Sequence, residues 1–85
     1  MKNYDVQHSP SEQKFFVQEQ GYTAYLIYNI FNGALSVATT QVPKALEGQG
    51  IASALVGAFY DYCLREGLEP RATCSYAVAW LKKHA

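Results

Sequence analysis

Charge is scarce in this 85-residue chain. Seven Lys and Arg balance seven Asp and Glu, 16% of residues in all, and the formal net charge at pH 7 is zero. That balance leaves no basic stripe to track a nucleic-acid backbone or hold an anionic membrane surface. Cysteine is scarce too. Cys63 and Cys74 are too few for a disulfide scaffold, and free thiols in a reducing compartment are expected. No Cys/His group has metal-ligand spacing, so no metal site is expected. No apolar run reaches membrane-spanning length, and the opening "MKNYDVQHSP" lacks the apolar stretch of a signal peptide. A cytoplasmic protein with no membrane or nucleic-acid partner is the expectation. Repeats, low-complexity runs and linkers are also missing, and the length leaves no room for a second core. Residues 1–85 therefore read as one domain.

What is present is apolar patterning: hydrophobic residues make up 49% of the chain, which excludes disorder. "YDVQHS" (4–9) and "SEQKFFVQEQ" (11–20) read as the first two strands. "GYTAYLIYNI" (21–30) reads as a strong third strand, with Tyr22, Ala24, Leu26, Tyr28 and Ile30 on one face. Thr23, Tyr25, Ile27 and Asn29 lie on the other. Both faces are fairly apolar, which predicts a central strand covered on both sides. Gln20-Gly21 and Asn32-Gly33 supply hairpin turn chemistry on either side of it. "ALSVATTQV" (34–42) is the fourth strand, closed by Pro43.

From Gly50 to about Arg65 the period changes to three and four, with Ile51, Leu55, Ala58, Phe59 and Tyr62 on one stripe and Gly67 as the stop. "LEPRATC" (68–74) is a fifth strand, and "SYAVAWLKKHA" (75–85) a closing helix with Ala77, Val78 and Leu81 inward and Ser75 as its N-cap. A strand-helix-strand unit of this length implies a right-handed crossover and parallel fourth and fifth strands. The fold class is α+β: an antiparallel meander, then a β-α-β crossover and a C-terminal helix.

The stretch "ALEGQGIASALV" (45–56) sets two glycines just before the long helix. Gly48 and Gly50 either end a loop or let the backbone approach an anion, whose partners would be the first-turn N–H groups from Gly50 to Ser53. The spacing fits neither a Walker loop, which ends in Gly-Lys-Ser/Thr, nor a three-glycine dinucleotide fingerprint. Cys74 stands where a strand feeds a helix N-terminus, a position that favours the thiolate; the alternative is a small buried hydrophobe. Cys63, mid-helix, reads as core. His8 and His84 are candidate bases by type only, with structural roles the alternative. The many tyrosines read as core or half-buried sheet residues, although Tyr76 and Trp80 could line an acceptor site.

The run "VPKALEGQGIASALV" resembles the acetyl-CoA loop of the GNAT superfamily of N-acetyltransferases, whose pattern Gln/Arg-x-x-Gly-x-Gly/Ala falls here on Glu47, Gly50 and Ala52. More narrowly, the chain is similar to a small single-domain branch known as YjdJ-type. That similarity runs from Val6 and His8, through the glycine loop, to "CSYAVAWLKKH" (74–84). It covers nearly the whole chain, apart from a proline-containing tail that often follows the last helix in that branch. The resemblance implies a GNAT-like fold with splayed parallel strands, Pro43 being read as a mark of the splay. It implies acetyl-CoA as cofactor, its pyrophosphate on backbone N–H groups of Gly48, Gln49, Gly50, Ile51 and Ala52. It also implies a pantetheine arm pairing with the fourth strand near Gln41 and Val42, and Cys74 as the catalytic residue.

Two departures stand out. Relatives commonly read His-Thr-Glu-Val-Pro where this chain has Thr39-Thr40-Gln41-Val42-Pro43, and an amide at Gln41 cannot deprotonate an ammonium. Glu47 replaces the usual Gln or Arg and places a negative charge near the expected phosphates. A Cys74 thiolate needs no such carboxylate for its own attack. The expectation is acetyl transfer to a small-molecule or protein amine by a monomer or weak homodimer. The rivals are a non-catalytic module or sensor that holds CoA, and an interaction domain that uses the sheet edge.

Overall fold

The computed structural model describes residues 4–84. Five strands form one sheet in sequential order: β1 (Gln7–Ser9), β2 (Lys14–Glu19), β3 (Tyr22–Phe31), β4 (Ala34–Gln41) and β5 (Glu69–Ala72). Helix α1 (Ile51–Glu66) crosses from β4 to β5, and α2 (Ser75–His84) closes the chain. The first four strands pair antiparallel, and β4 pairs with β5 in parallel, as the patterning predicts. The first two strands are shorter than expected, because Pro10–Glu12 forms a 3-10 turn between them. At the β2–β3 hairpin both Gln20 (φ 53°) and Gly21 (φ 80°) are left-handed, the twist that suits a two-residue connection.

One core sits between the sheet and the helices. Phe15, Val17, Ala24, Leu26, Tyr28, Leu35 and Val37 enter it from the strands; Ile51, Leu55, Val56, Phe59 and Cys63 enter from α1, and Ala77 from α2. The α1 row alone dwarfs the cost of Gly57 inside the helix. Each buried Leu- or Phe-sized side chain contributes about 1.5–3 kcal/mol, against about 1 kcal/mol for a mid-helix glycine. On α1, Val56 and Cys63 complete a stripe that the spacing placed on Ala58 and Tyr62, which are only half-buried. Of the three α2 residues expected inward, Ala77 is fully buried, and Val78 and Leu81 are half-buried.

The third strand is central, yet it is covered on one face only. Tyr25 and Ile27 are half-buried, Asn29 and Phe31 are exposed, and both helices pack on the opposite side. Apolar residues on both faces reflect a bare sheet surface here, not a second layer.

The pairing of β4 matters most for the site. Its register with β3 slips between Ile27 and Tyr28, so Thr39 faces Ile27 while Val37 faces Tyr28 and Ala38 is the extra residue of a bulge. A bulge bends its strand and sharpens the local twist. The ladder to β5 ends one residue earlier, at Val37 opposite Ala72, and the Val37 carbonyl then accepts both Thr73 N–H (3.0 Å) and Cys74 N–H (3.2 Å). Beyond that point β4 runs on to Gln41 while the chain after β5 turns into α2. The strands part at Val37, well before Pro43, which ends β4 without opening the gap.

Candidate active site

The loop between β4 and α1 is anchored from below. Lys44–Leu46 makes a 3-10 turn closed by Leu46 N–H to Pro43 O (2.8 Å), and Leu46 is fully buried. An apolar side chain inside a polar stretch thus fixes the loop against the core. Gly48 (φ 79°) and Gly50 (φ 80°) are both left-handed, a conformation costing an L side chain about 1–2 kcal/mol. A Cβ added at either would meet nothing within 4 Å. Glycine is needed there for conformation, and the space above it is open.

Gly50 occupies the N-cap position of α1. Its carbonyl accepts Ala54 N–H (3.0 Å), and no side chain caps the helix. The N–H groups of Ile51, Ala52 and Ser53 have no intrahelical acceptor by geometry. They border a hollow of about 260 Å³ lined by Val42, Leu46, Glu47, Gly48, Gly50, Ile51, Ala52, Ser53 and Tyr76. The hollow takes in five of the seven residues expected to hold a cofactor. Gln49 and Gln41 are not among its lining. Gln49 instead offers its carbonyl to the Tyr4 hydroxyl (2.6 Å). Gln41 is exposed at the end of β4, and its amide nitrogen donates to Thr39 Oγ1 (3.4 Å). The register puts Gln41 opposite Tyr25 on the bare face, and Thr40 opposite Leu26 on the core face.

The second helix begins beside the same hollow. Val78 N–H donates to Cys74 O (2.9 Å), so Cys74, not Ser75, is the N-cap of α2. The thiol takes the place a serine or aspartate side chain usually fills. Its Sγ–H donates to Thr40 Oγ1 across the gap (3.7 Å). Burial pushes the Cys74 thiol up, and this is the largest single influence. It is outweighed by the Ala77 N–H, the Thr40 hydroxyl, the Tyr76 N–H and the Thr40 backbone acting together, so the pKa lies below its ordinary value. Cys63 is the opposite case: buried in the core, it is pushed up to about 11. One thiol is poised for ionisation, and the other is shielded from it.

The remaining candidates are accounted for by packing. His8 Nε2 lies 2.7 Å from the Tyr28 hydroxyl, and its ring stacks on Phe15 at 4.1 Å. Burial and the nearby Arg65 charge lower its pKa. A shallow cavity of about 550 Å³ beside His8 is lined by α1 and the first two strands, away from Cys74. His84 stacks on Trp80 at 4.0 Å and bonds its carbonyl (3.0 Å). Tyr76 lines the same hollow as the glycine loop. Among the described residues no group of three or more His, Cys, Asp or Glu could hold a metal ion, and no helix is long and apolar enough to cross a membrane.

Thr40 is a site residue that no motif singled out, whereas Ser53 and Tyr76, both named from the sequence, line the hollow. Only the alternation of β4 carried a signal for Thr40, placing it on the face opposite Gln41.

The family model described as GCN5-related N-acetyl-transferase matches residues 14–85. Protein NATD1 of Xenopus tropicalis is 30% identical over 82 residues, covering 93% of this chain and 75% of the relative. Protein NATD1 of Mus musculus is also 30% identical over 82 residues, with 74% of the relative covered. The solution structure of a GCN5-like candidate N-acetyltransferase from Staphylococcus aureus is similar at a TM-score of 0.73 and 28% identity, over 98% of this chain and 82% of that one.

Proposed function

Because the chain belongs to the GCN5-related N-acetyltransferase family, and is an acyltransferase with that family's fold, we propose that it transfers acetyl from acetyl-CoA to an amine by way of Cys74. One observation supports this above the others. Tyr76, in the first turn of α2, lines the hollow bordered by the α1 N-terminus, and its backbone N–H bonds the Cys74 sulfur.

In this reading the backbone N–H groups from Gly48 to Ala52 receive the pyrophosphate, which needs donors and positive helix polarity but no cation. The edge of β4 left open beyond Val37 receives the pantetheine arm as an added strand, with Val42 nearby. Acetyl-CoA is the acyl-donating substrate. Cys74, as thiolate, attacks the acetyl carbonyl carbon; a new carbon–sulfur bond forms as the bond to the CoA sulfur breaks. Thr40 turns its hydroxyl to donate to the thiolate before attack. An amine in its free-base form then attacks acetyl-Cys74, the Cys74 thiolate leaves, and the amine's proton passes to solvent.

The test is a brief incubation with acetyl-CoA followed by peptide mass analysis. One acetyl group on the peptide holding Cys74, and none on that holding Cys63, is the expected result. CoA binding without any acetyl on Cys74 and without transfer to polyamines, amino acids or protein lysines would favour a CoA-holding module instead.

A further inference from the structure

Acetyl transfer at Cys74 leaves the cavity beside His8 without a task. At about 550 Å³ it falls within the size range of small-molecule sites. It lies far along α1 from the glycine loop. Asp61, on its wall, follows Ala52 by about two and a half turns, roughly 14 Å at 1.5 Å per residue.

The aromatic part of the lining is a fixed cluster. The His8 ring stacks on Phe15 (4.1 Å) and meets Tyr62 edge-on (4.5 Å). Tyr28 is buried, and His8 is the one hydrogen-bond partner of its hydroxyl among the described residues. The phenol therefore donates to Nε2. Burial and Arg65 lower the His8 pKa, so the ring is neutral at pH 7 and carries its proton on Nδ1. Among the described residues neither Nδ1 nor the Tyr62 hydroxyl has a hydrogen-bond partner.

The α1 wall adds two charges of opposite sign. Asp61 and Arg65 stand one turn apart, the spacing at which an acid and a base usually pair. They form no ion pair with each other or with another described residue. Leu64 lies beside them and is 57% exposed, an apolar surface left in water.

We propose that this cavity binds an apolar α-amino acid as its zwitterion. Arg65 receives the carboxylate, with His8 Nδ1–H and the Tyr62 hydroxyl as neutral donors, and Asp61 receives the ammonium. The ligand's side chain covers Leu64. A simple anion would meet Asp61, and a simple cation would meet Arg65. A ligand that carries both charges on one carbon satisfies the two together, across side chains whose Cβ atoms are about 5–6 Å apart. The site stands independently of CoA, and its occupant is distinct from the acetyl acceptor at Cys74.

The experiment is an amide-resolved NMR titration of the full chain with L-phenylalanine, phenethylamine and hydrocinnamate. Phenethylamine lacks the carboxylate, and hydrocinnamate lacks the ammonium. L-Phenylalanine should give saturable shifts at the amides of Val6, His8 and Leu64, and leave those of Gly48 and Gly50 in place. Each analogue should bind at least about tenfold more weakly, the size of one hydrogen bond to a charged group. Arg65→Met should bind L-phenylalanine no better than phenethylamine, and Asp61→Asn should bind it no better than hydrocinnamate. Both positions are exposed, and thermal melts show that the variants fold. If one does not, the parent's ranking of the three compounds decides alone. A merely structural role would weaken all three alike. That outcome, equal affinities in the parent, shifts confined to the glycine loop, or no saturable shift with L-phenylalanine would each overturn the proposal. CoA titrated into the same samples is read separately: its failure to bind would sink the loop reading and leave this site standing.

Discussion

Cys74 Sγ and Thr40 Oγ1 face each other at 3.7 Å across the gap where β4 and β5 separate. The contact joins two elements that no longer share a ladder. It sits where a parallel sheet has run out of partners and a helix has not yet used its first N–H groups. The thiol is therefore half-buried, surrounded by donors, and reachable.

Alkylation should report this. With iodoacetamide at neutral pH, Cys74 should react well ahead of Cys63, and CoA should protect it. The midpoint of its rate against pH should lie below that of an ordinary thiol. Thr40→Val removes one of the groups that hold the pKa down, so the midpoint should move upward. A midpoint unmoved by Thr40→Val would mean the hydroxyl does not act on the sulfur.

Cys63 predicts an opposite pH signature in stability. Its folded pKa is raised from 9.0 to about 11 by burial, so its contribution is complete below pH 9 and is lost as pH rises through 11. The full swing is about 2–3 kcal/mol at 1.36 kcal/mol per unit. Denaturant midpoints measured from pH 8 to 11 should fall for the parent and fall less steeply for Cys63→Ala. The alanine variant should start lower at pH 8, because a buried side chain has been shortened. Parallel slopes in the two proteins would contradict the assignment.

Much of this fold was legible because turn residues punctuate it. Gln20-Gly21, Asn32-Gly33, Pro43 and Gly67 bracket elements that the periodicity then identifies, and the parallel crossover follows from their lengths. The glycine loop announced its own backbone, since two left-handed positions before a helix call for glycine. Other features left no local mark. The bulge at Ala38 carries neither glycine nor proline, so the true parting of β4 and β5 could not be placed from the sequence. Serine is the better cap by type, which points to Ser75 for α2, whereas the end of β5 sets Cys74 there. Apolar alternation cannot tell a covered face from a bare one, which is why Tyr25 and Ile27 misled. The hydrogen bond from the Trp80 indole to Ser53 spans 27 residues and exists only once the helices pack.

At Gly50 the informative change is to asparagine. Valine at φ 80° is strained by its branched Cβ whatever the ligand does, so weaker binding by Gly50→Val would be ambiguous. Asparagine tolerates the left-handed region and extends into space the protein leaves empty. Gly50→Asn should melt within a few degrees of the parent and bind CoA at least about tenfold more weakly. Undiminished affinity would mean that the pyrophosphate does not lie over this residue.

Glu47 should hold affinity down, since it lines the hollow that the phosphates are proposed to occupy. The side chain is exposed and its effect is screened by salt. Glu47→Arg should tighten CoA binding about threefold at low ionic strength, at most a few tenths to 1 kcal/mol, and the gain should shrink at 0.5 M salt. An affinity that is unchanged, or changed equally at both salt concentrations, would place the carboxylate away from the phosphates.

The last prediction decides whether Cys74 carries the acetyl group or only lines its path. Serine retains the size and the N-cap geometry of Cys74, so Cys74→Ser should fold normally and keep CoA affinity within about twofold. It should nevertheless lose transfer, because a hydroxyl without a base is a poor nucleophile. Gln41 offers a second route to probe. It lies on the face of β4 opposite Thr40, directed away from the thiol side and toward the uncovered surface of the sheet. A carboxylate introduced by Gln41→Glu could take a proton from an ammonium arriving on that surface, without passing through sulfur. In the Cys74→Ser background, Gln41→Glu should therefore restore part of the activity, with a rate that rises as the carboxylate ionises. No acetyl mass should appear on residue 74 in that double variant. If Cys74→Ser alone acetylates amines at the parental rate, the thiol is not on the reaction path. The acetyl group would then pass to the amine in one step, leaving Cys74 as a cap that orders the start of α2.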